Sequence, residues 1–206
     1  MTRTQGSRDT QYEERRAALL NNIILRLSKT NDTKPSLRQI AKDAGVTVPT
    51  LLHYFGDRDA VIVAALEHWH SQGRVYLEAA SVPNGTFEQS IKHYAENLLV
   101  GLTQFGIADF LAAGFVEAIL DDRKGPAFVN HALEPIIMAF ANLLTAHQKN
   151  CEMRDVDSRF AAIAFISPIL VLCHHQYQLF GAKTHPTDLR KYVDQHVETF
   201  IRSHKT

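Results

Sequence analysis

Apolar residues recur at the three- and four-residue spacing of an α-helix along most of the chain. Leu19, Leu20, Ile23, Ile24 and Leu27 form one stripe, Ile40, Ala41 and Ala44 a short second, and Leu51 and Phe55 a third. Val61, Ile62, Ala65, Leu66 and Trp69 follow in the same register. Further stripes run through Phe87, Ile91, Tyr94, Leu98 and Leu99, then through Phe105, Phe110, Leu111, Phe115 and Ile119. A long helix is expected from about 156 to 180, bent at Pro168, and a last one from about 187 to 201. No stretch alternates with the period of a half-buried strand, so the pattern predicts an all-α protein.

Polar residues mark where these helices start and stop. Ser36 with Gln39, Thr86 with Gln89 and Thr10 with Glu13 have the spacing of capping boxes, in which side chains satisfy the orphan N–H groups of a first turn. Gly45 can take the left-handed conformation that closes one helix and turns the chain sharply into the next. Thr47 can cap that next helix, and Pro49 suits its first turn because the missing N–H had no intrahelical partner. Downstream, Pro83 to Gly85, Gly101 and Gly106 interrupt the pattern, and Asp121 and Asp122 sit in a turn-like segment. Pro126 opens another helix, in which Pro135 implies a kink or a restart.

Two short helices joined at Gly45 have the form that lays a recognition helix in the DNA major groove, although a plain helical hairpin has the same spacing. The residue identities separate the two readings. Ile40 to Ile62, IAKDAGVTVPTLLHYFGDRDAVI, resembles the DNA-binding domain of the TetR family of transcriptional regulators, where IA..AGVS..TLY.HF..K..L recurs. The chain departs at Leu52, where the family usually has Tyr, so a hydroxyl that commonly reaches the DNA backbone is missing. The resemblance implies a three-helix domain, residues 1–56 with the helix-turn-helix at about 36–55, then a linking helix at 57–75 and a helical effector-binding and dimerisation domain at 76–206. It implies DNA contacts from Arg38, Thr47, Val48, Pro49, Thr50, Leu52, His53, Tyr54 and Arg58. By chemistry, the planar fork of Arg38 suits guanine or phosphate, Pro49 and Thr50 suit a thymine methyl, and His53 and Tyr54 suit phosphate oxygens. Arg58 stands where the family has Lys; as a cation in a first helical turn it opposes the macrodipole, so an external anion would help explain it.

Charge changes the picture only in its distribution. The chain is formally neutral, yet Arg3, Arg8, Arg15, Arg16, Arg26, Lys29, Lys34, Arg38 and Lys42 face only four acids between positions 3 and 42. A positive end on a neutral protein suits phosphate contacts. Cys151 and Cys173 are too few for a disulfide framework. The N-terminus lacks the apolar stretch of a signal peptide, and the run Phe160 to Cys173 is broken by Ser167 and Pro168, short of the roughly 18 residues of a membrane span. A cytoplasmic, non-membrane protein is the expectation.

Two later helices have more apolar surface than one solvated partner can use, which calls for burial within the chain or against a second copy. The resemblance implies a homodimer through these helices, with Ile136, Ile137, Phe140, Leu144, Ala161, Ala164 and Leu172 at the interface. It also implies a small-molecule effector among Trp69, Phe105, Phe110, Phe115, His131, Phe165, His174 and Tyr177. Catalysis finds little support. Cys173, His174 and His175 cannot converge on one ion because successive helical residues diverge by about 100°. Neither thiol has a base beside it in sequence, and no phosphate-binding Gly loop is present. No metal or cofactor is expected. The chain therefore reads as a non-enzymatic regulator, most simply a repressor, that binds a palindromic double-stranded operator and is released by its effector; the alternative is an all-α small-molecule-binding protein or enzyme whose reader no longer works.

Overall fold

The computed structural model describes residues 5–28 and 34–206, with side chains from Thr10 onward. Ten α-helices carry the described chain: α1 Gln5–Leu27, α2 Leu37–Asp43, α3 Val48–Phe55, α4 Arg58–Ala80, α5 Phe87–Gln104, α6 Ile107–Ala118, α7 Lys124–Phe128, α8 Glu134–Lys149, α9 Ser158–Tyr177 and α10 Leu189–His204. A π-helical turn, Val129–Leu133, joins α7 to α8, and a 3-10 turn, Gly181–Lys183, precedes α10. No strand occurs among the described residues, as the periodicity predicts. The expected start of α1 at Thr10 is corrected: the helix begins at Gln5, so Thr10 lies inside it. A capping pair is a local preference, and it yields where the chain before it is already helical.

The chain divides into two compact units, one running to Gln72 and including Ala113–His131, the other comprising Gly73–Ala112 and Ala132–Thr206. The first is built on Leu20, Ile23, Ile40, Leu51, Val61 and Ile62, all removed from water. Each such side chain contributes about 1.5–3 kcal/mol of burial, which fixes the angles of α2 and α3 as capping alone cannot. Ala113–His131 folds with the reader helices, though the sequence places it far downstream. Gly114 allows this segment to close on itself, because a Cβ there would stand 2.3 Å from the Phe128 ring.

In the second unit an aromatic cluster forms the centre. Ring centroids lie 4.3 Å apart for Tyr94 and Phe140, 4.6 Å for Phe140 and Phe165, and 4.8 Å for Phe165 and Phe200. The buried Tyr94 hydroxyl donates to the Ile136 carbonyl at 3.2 Å. The helix expected at 156–180 is α9, capped by the Asp157 carboxylate on the Phe160 N–H and continuous through Pro168. By length and composition, α9 and the continuous run Lys124–Lys149 are both apolar enough to cross a membrane, which corrects the expectation that no segment reaches that length. Half of the latter's most apolar window is buried inside the protein, so a share of that apolar content packs its interior.

Candidate nucleic-acid interface

The helix-turn-helix forms as its capping residues dictate. Ser36 Oγ accepts from the Gln39 N–H, and Gln39 Oε1 accepts from the Ser36 N–H at 2.8 Å, closing the capping box. Gly45 turns the chain with φ +72°. Thr47 Oγ1 then accepts from the Thr50 N–H at 3.3 Å, with Pro49 in the first turn of α3. Leu51 is fully buried, whereas Arg38, Thr47, Pro49, Leu52 and His53 are exposed, and Val48, Thr50 and Tyr54 are half-buried. Leu52, at 41% exposed, presents an apolar side chain to solvent.

Residues that sequence reasoning missed hold this face in place. Tyr12 of α1 stacks on Tyr54 with ring centroids 4.8 Å apart, and the Arg16 guanidinium lies over the Phe55 ring at 5.4 Å. Tyr12 and Arg16 are four apart on one helix face, the only sequence signal that pairs them. Tyr54 is therefore part of the α1–α3 packing as well as of the outer surface. Arg26 is buried and paired with Asp43, which removes it from the cations a phosphate could meet. Exposed cations among the described residues of this region include Arg15, Lys34, Arg38 and Lys42. The side chains of Arg3, Arg8 and Lys29 lie outside the described residues.

The structure corrects the argument for an external anion at Arg58. Its Nε and Nη2 donate to the Pro35 carbonyl at 3.0 and 2.9 Å, Nη1 donates to Glu117 at 2.9 Å, and Nη2 also meets Glu117. The anion is internal. Its hydrogen bonds hold the guanidinium above its usual pKa against the opposing effect of burial. Two further pairs lie beside it. Arg123 grips Asp57 at 2.9 Å, and the buried Lys124 ammonium sits between Asp59 at 2.6 Å and Asp121 at 2.5 Å. Asp121, in the turn before α7, also accepts from the Lys124 N–H at 2.7 Å. The bonds from the Lys124 ammonium and N–H pull its carboxyl down to about 2. Three adjacent positions at the start of α4, 57 to 59, are thus ion-paired to Arg123, just before α7, to Glu117 of α6 and to Lys124 of α7.

The other candidate residues are divided between the two units. Trp69, Phe115 and His131 belong to the first unit, and Phe105, Phe110, Phe165, His174 and Tyr177 to the second. Phe105 and Tyr177 are exposed, and Phe165 is part of the aromatic core; aromatic identity does not distinguish core from pocket wall. Phe110 is buried, and His174 Nδ1 pairs with Gln178, which reaches Asp109 at 2.8 Å. A groove between α5 and α10, lined by residues such as Lys92, Glu198 and Arg202, contains none of them. At the expected dimer surface, Ile136, Phe140, Leu144 and Ala161 are buried inside the protomer, because the most apolar stripe of a helix goes to its own core. Ala164 is exposed, and Ile137 and Leu172 are half-buried.

Comparison with known proteins agrees with the geometry. The family model described as bacterial regulatory proteins, tetR family, matches residues 34–65. No curated protein sequence matches the chain. Among solved structures, one from Mesorhizobium loti MAFF303099 described as a TetR-family transcriptional regulator is 15% identical with a TM-score of 0.78, covering 95% of this chain and 98% of that one. SmeT, the repressor of the Stenotrophomonas maltophilia multidrug efflux pump SmeDEF, is 15% identical with a TM-score of 0.64 over 93% and 90%. A structure from Saccharomonospora viridis described as a transcriptional regulator in complex with choline is 15% identical with a TM-score of 0.66 over 92% and 96%. At such identities the likeness is one of fold, and the match at residues 34–65 adds the sequence. The segment 34–65 thus matches the DNA-binding segment of the tetR family of bacterial regulatory proteins, and the all-α fold is similar to that of solved TetR-family regulators.

Proposed function

We propose that the protein is a repressor that binds a palindromic operator as a homodimer in the cytoplasm and leaves it when a small effector binds. The observation that carries the DNA reading is the exposed set Arg38, Thr47, Pro49, Leu52 and His53 on two capped helices whose opposite faces are buried. Phosphate contacts position such a face and base contacts specify; Arg38 serves either, and His53 the backbone. The SmeT likeness favours repression, and the choline complex is a property of that protein that favours a small effector here.

The dimer is supported by an exposed apolar stripe rather than by the buried residues first considered. Phe160 and Val171 on α9 are 69% and 67% exposed, with Ala164 and Ser167 exposed between them at helical spacing, and Met138 is exposed on α8. A second copy would cover this stripe and set two readers about 34–36 Å apart. The domain limits of 1–56, 57–75 and 76–206 remain part of the proposal.

Selecting bound duplexes from a random pool, with and without a metabolite panel, tests the reading. It predicts a palindromic consensus, affinity that falls steeply with salt, and loss of binding in the Arg38→Ala, His53→Ala double variant with helicity retained. A pool that yields no consensus, or affinity indifferent to both substitutions, would falsify it.

A further inference from the structure

Helix α3 is short of the side chains that read bases by hydrogen bonds. Its sequence, VPTLLHYF, has no Arg, Lys, Asn, Gln, Asp or Glu, the residues that pair with the edges of guanine, adenine and cytosine in the major groove. Its polar groups are engaged close to home: Thr50 Oγ1 lies 2.9 Å from Thr47 Oγ1, and the Tyr54 ring is held against Tyr12. Much of what the helix turns outward is apolar. Leu52 is 41% exposed, with exposed Pro49 and half-buried Val48 three and four residues back on the same face.

We propose that Leu52, with Pro49 and Val48 behind it, reads the 5-methyl group of a thymine, so that α3 selects its operator by methyl contact rather than by hydrogen bonds. The proposal rests on the DNA reading given above and names the chemistry of its base contact. The thymine methyl is the apolar group that base pairs present in the major groove, and it is the complement an apolar strip requires. Charge favours DNA over an apolar peptide as the occupant. Helix α2, which packs against α3, carries the exposed cations Arg38 and Lys42, and the single acid of the two helices, Asp43, is paired with the buried Arg26. Phosphates on either side of the groove suit that positive flank and would position the strip over the base edges. Set against a G·C pair, Leu52 would strip water from the polar base edge without replacing its hydrogen bonds, which penalises the wrong base.

The test starts from the duplex that the wild-type protein selects from a random pool. Each thymine in turn is replaced by deoxyuridine, which removes the methyl and leaves every hydrogen-bonding group in place, and affinity is measured by fluorescence anisotropy at fixed salt. At the thymine under Leu52 the expected loss is about fourfold per methyl removed, and this scan needs no variant to fold. Leu52→Ala, checked for retained helicity, is expected to bind the thymine and deoxyuridine duplexes equally at that position, whereas Leu52→Met keeps the discrimination. A scan in which no replacement weakens wild-type binding overturns the proposal and leaves the DNA reading intact, as does a methyl effect that survives in Leu52→Ala. A pool that yields no bound duplex overturns both.

Discussion

Replacing Glu117 by Gln tests whether the Arg58 fork fastens the helix-turn-helix to α6. The Glu117 side chain is 3% exposed and that of Arg58 26%. Gln preserves the shape and one acceptor oxygen but deletes the charge and turns an –NH₂ toward the guanidinium. Breaking one partner of a fully buried pair costs about 3–5 kcal/mol. Arg58 keeps a quarter of its side chain in water and both bonds to the Pro35 carbonyl, so about half of that, ~2 kcal/mol, is the expected loss. Trp69, the single tryptophan, belongs to the same unit, and its fluorescence during urea unfolding reports on that unit. Adding Arg58→Met closes a double-mutant cycle, whose coupling is expected at ~2 kcal/mol because the pair acts as one. A cost for Glu117→Gln below ~0.5 kcal/mol with no coupling in the cycle would show that solvent screens the pair, and the reasoning that α6 holds the reader would be refuted.

Gly114→Ala places its Cβ against the buried Phe128 ring, which rests on Phe115 at 4.8 Å. A thermal melt is expected to show a loss of about 1–3 kcal/mol, while Gly73→Ala, with nothing within 4 Å, stabilises by up to about 1 kcal/mol through helix propensity. A disulfide-exchange reagent at pH 8 should titrate Cys151 and spare Cys173, which is buried and whose thiol burial and the Asp109 charge push up to about 11; two reactive thiols in the folded protein would contradict this. Asp121, held at about 2 against 3.8, has a lowered folded pKa, so its contribution is complete above the unfolded value and is lost as pH falls through about 2. Acid unfolding of Asp121→Asn should accordingly be less pH-dependent between about 4 and 2 than that of the wild type.

What could be read from the sequence was whatever local chemistry decides. The capping boxes at Ser36 and Thr86, the turn at Gly45 and the start of α3 at Thr47 each depend on residues within three or four positions, and all form as read. The outward face of α3 follows from the same cause, since burying Leu51 leaves Pro49, Leu52 and His53 outside. What could not be read depends on partners distant in sequence. Glu117 lies 59 positions from Arg58, and Lys124 lies 65 from Asp59; nothing near any of them marks the pairing. Which face of an apolar helix turns inward was not legible for a different reason. Apolar content locates a helix that needs burial but not the side buried in its own protomer, so Phe140 and Leu144 went to the core while Phe160 and Val171 remain outside.

The same distinction bears on how the reader could respond to anything bound elsewhere. If α2 and α3 were held only by their own apolar contacts, the first turn of α4 would be free to tilt without consequence for α6 and α7. Three successive residues, Asp57, Arg58 and Asp59, are instead ion-paired to Arg123, Glu117 and Lys124. Charged pairs tolerate sliding poorly when buried, because a displaced partner leaves an uncompensated charge, whereas apolar side chains can repack at small cost. Of the three, only Arg58–Glu117 and Lys124–Asp59 include a side chain removed from water, and Arg123–Asp57 is exposed at both ends. Rigidity at this junction therefore rests on Glu117 and Lys124, and substituting Arg123 should leave the stability of the first unit within about 0.5 kcal/mol of wild type while substituting Glu117 does not.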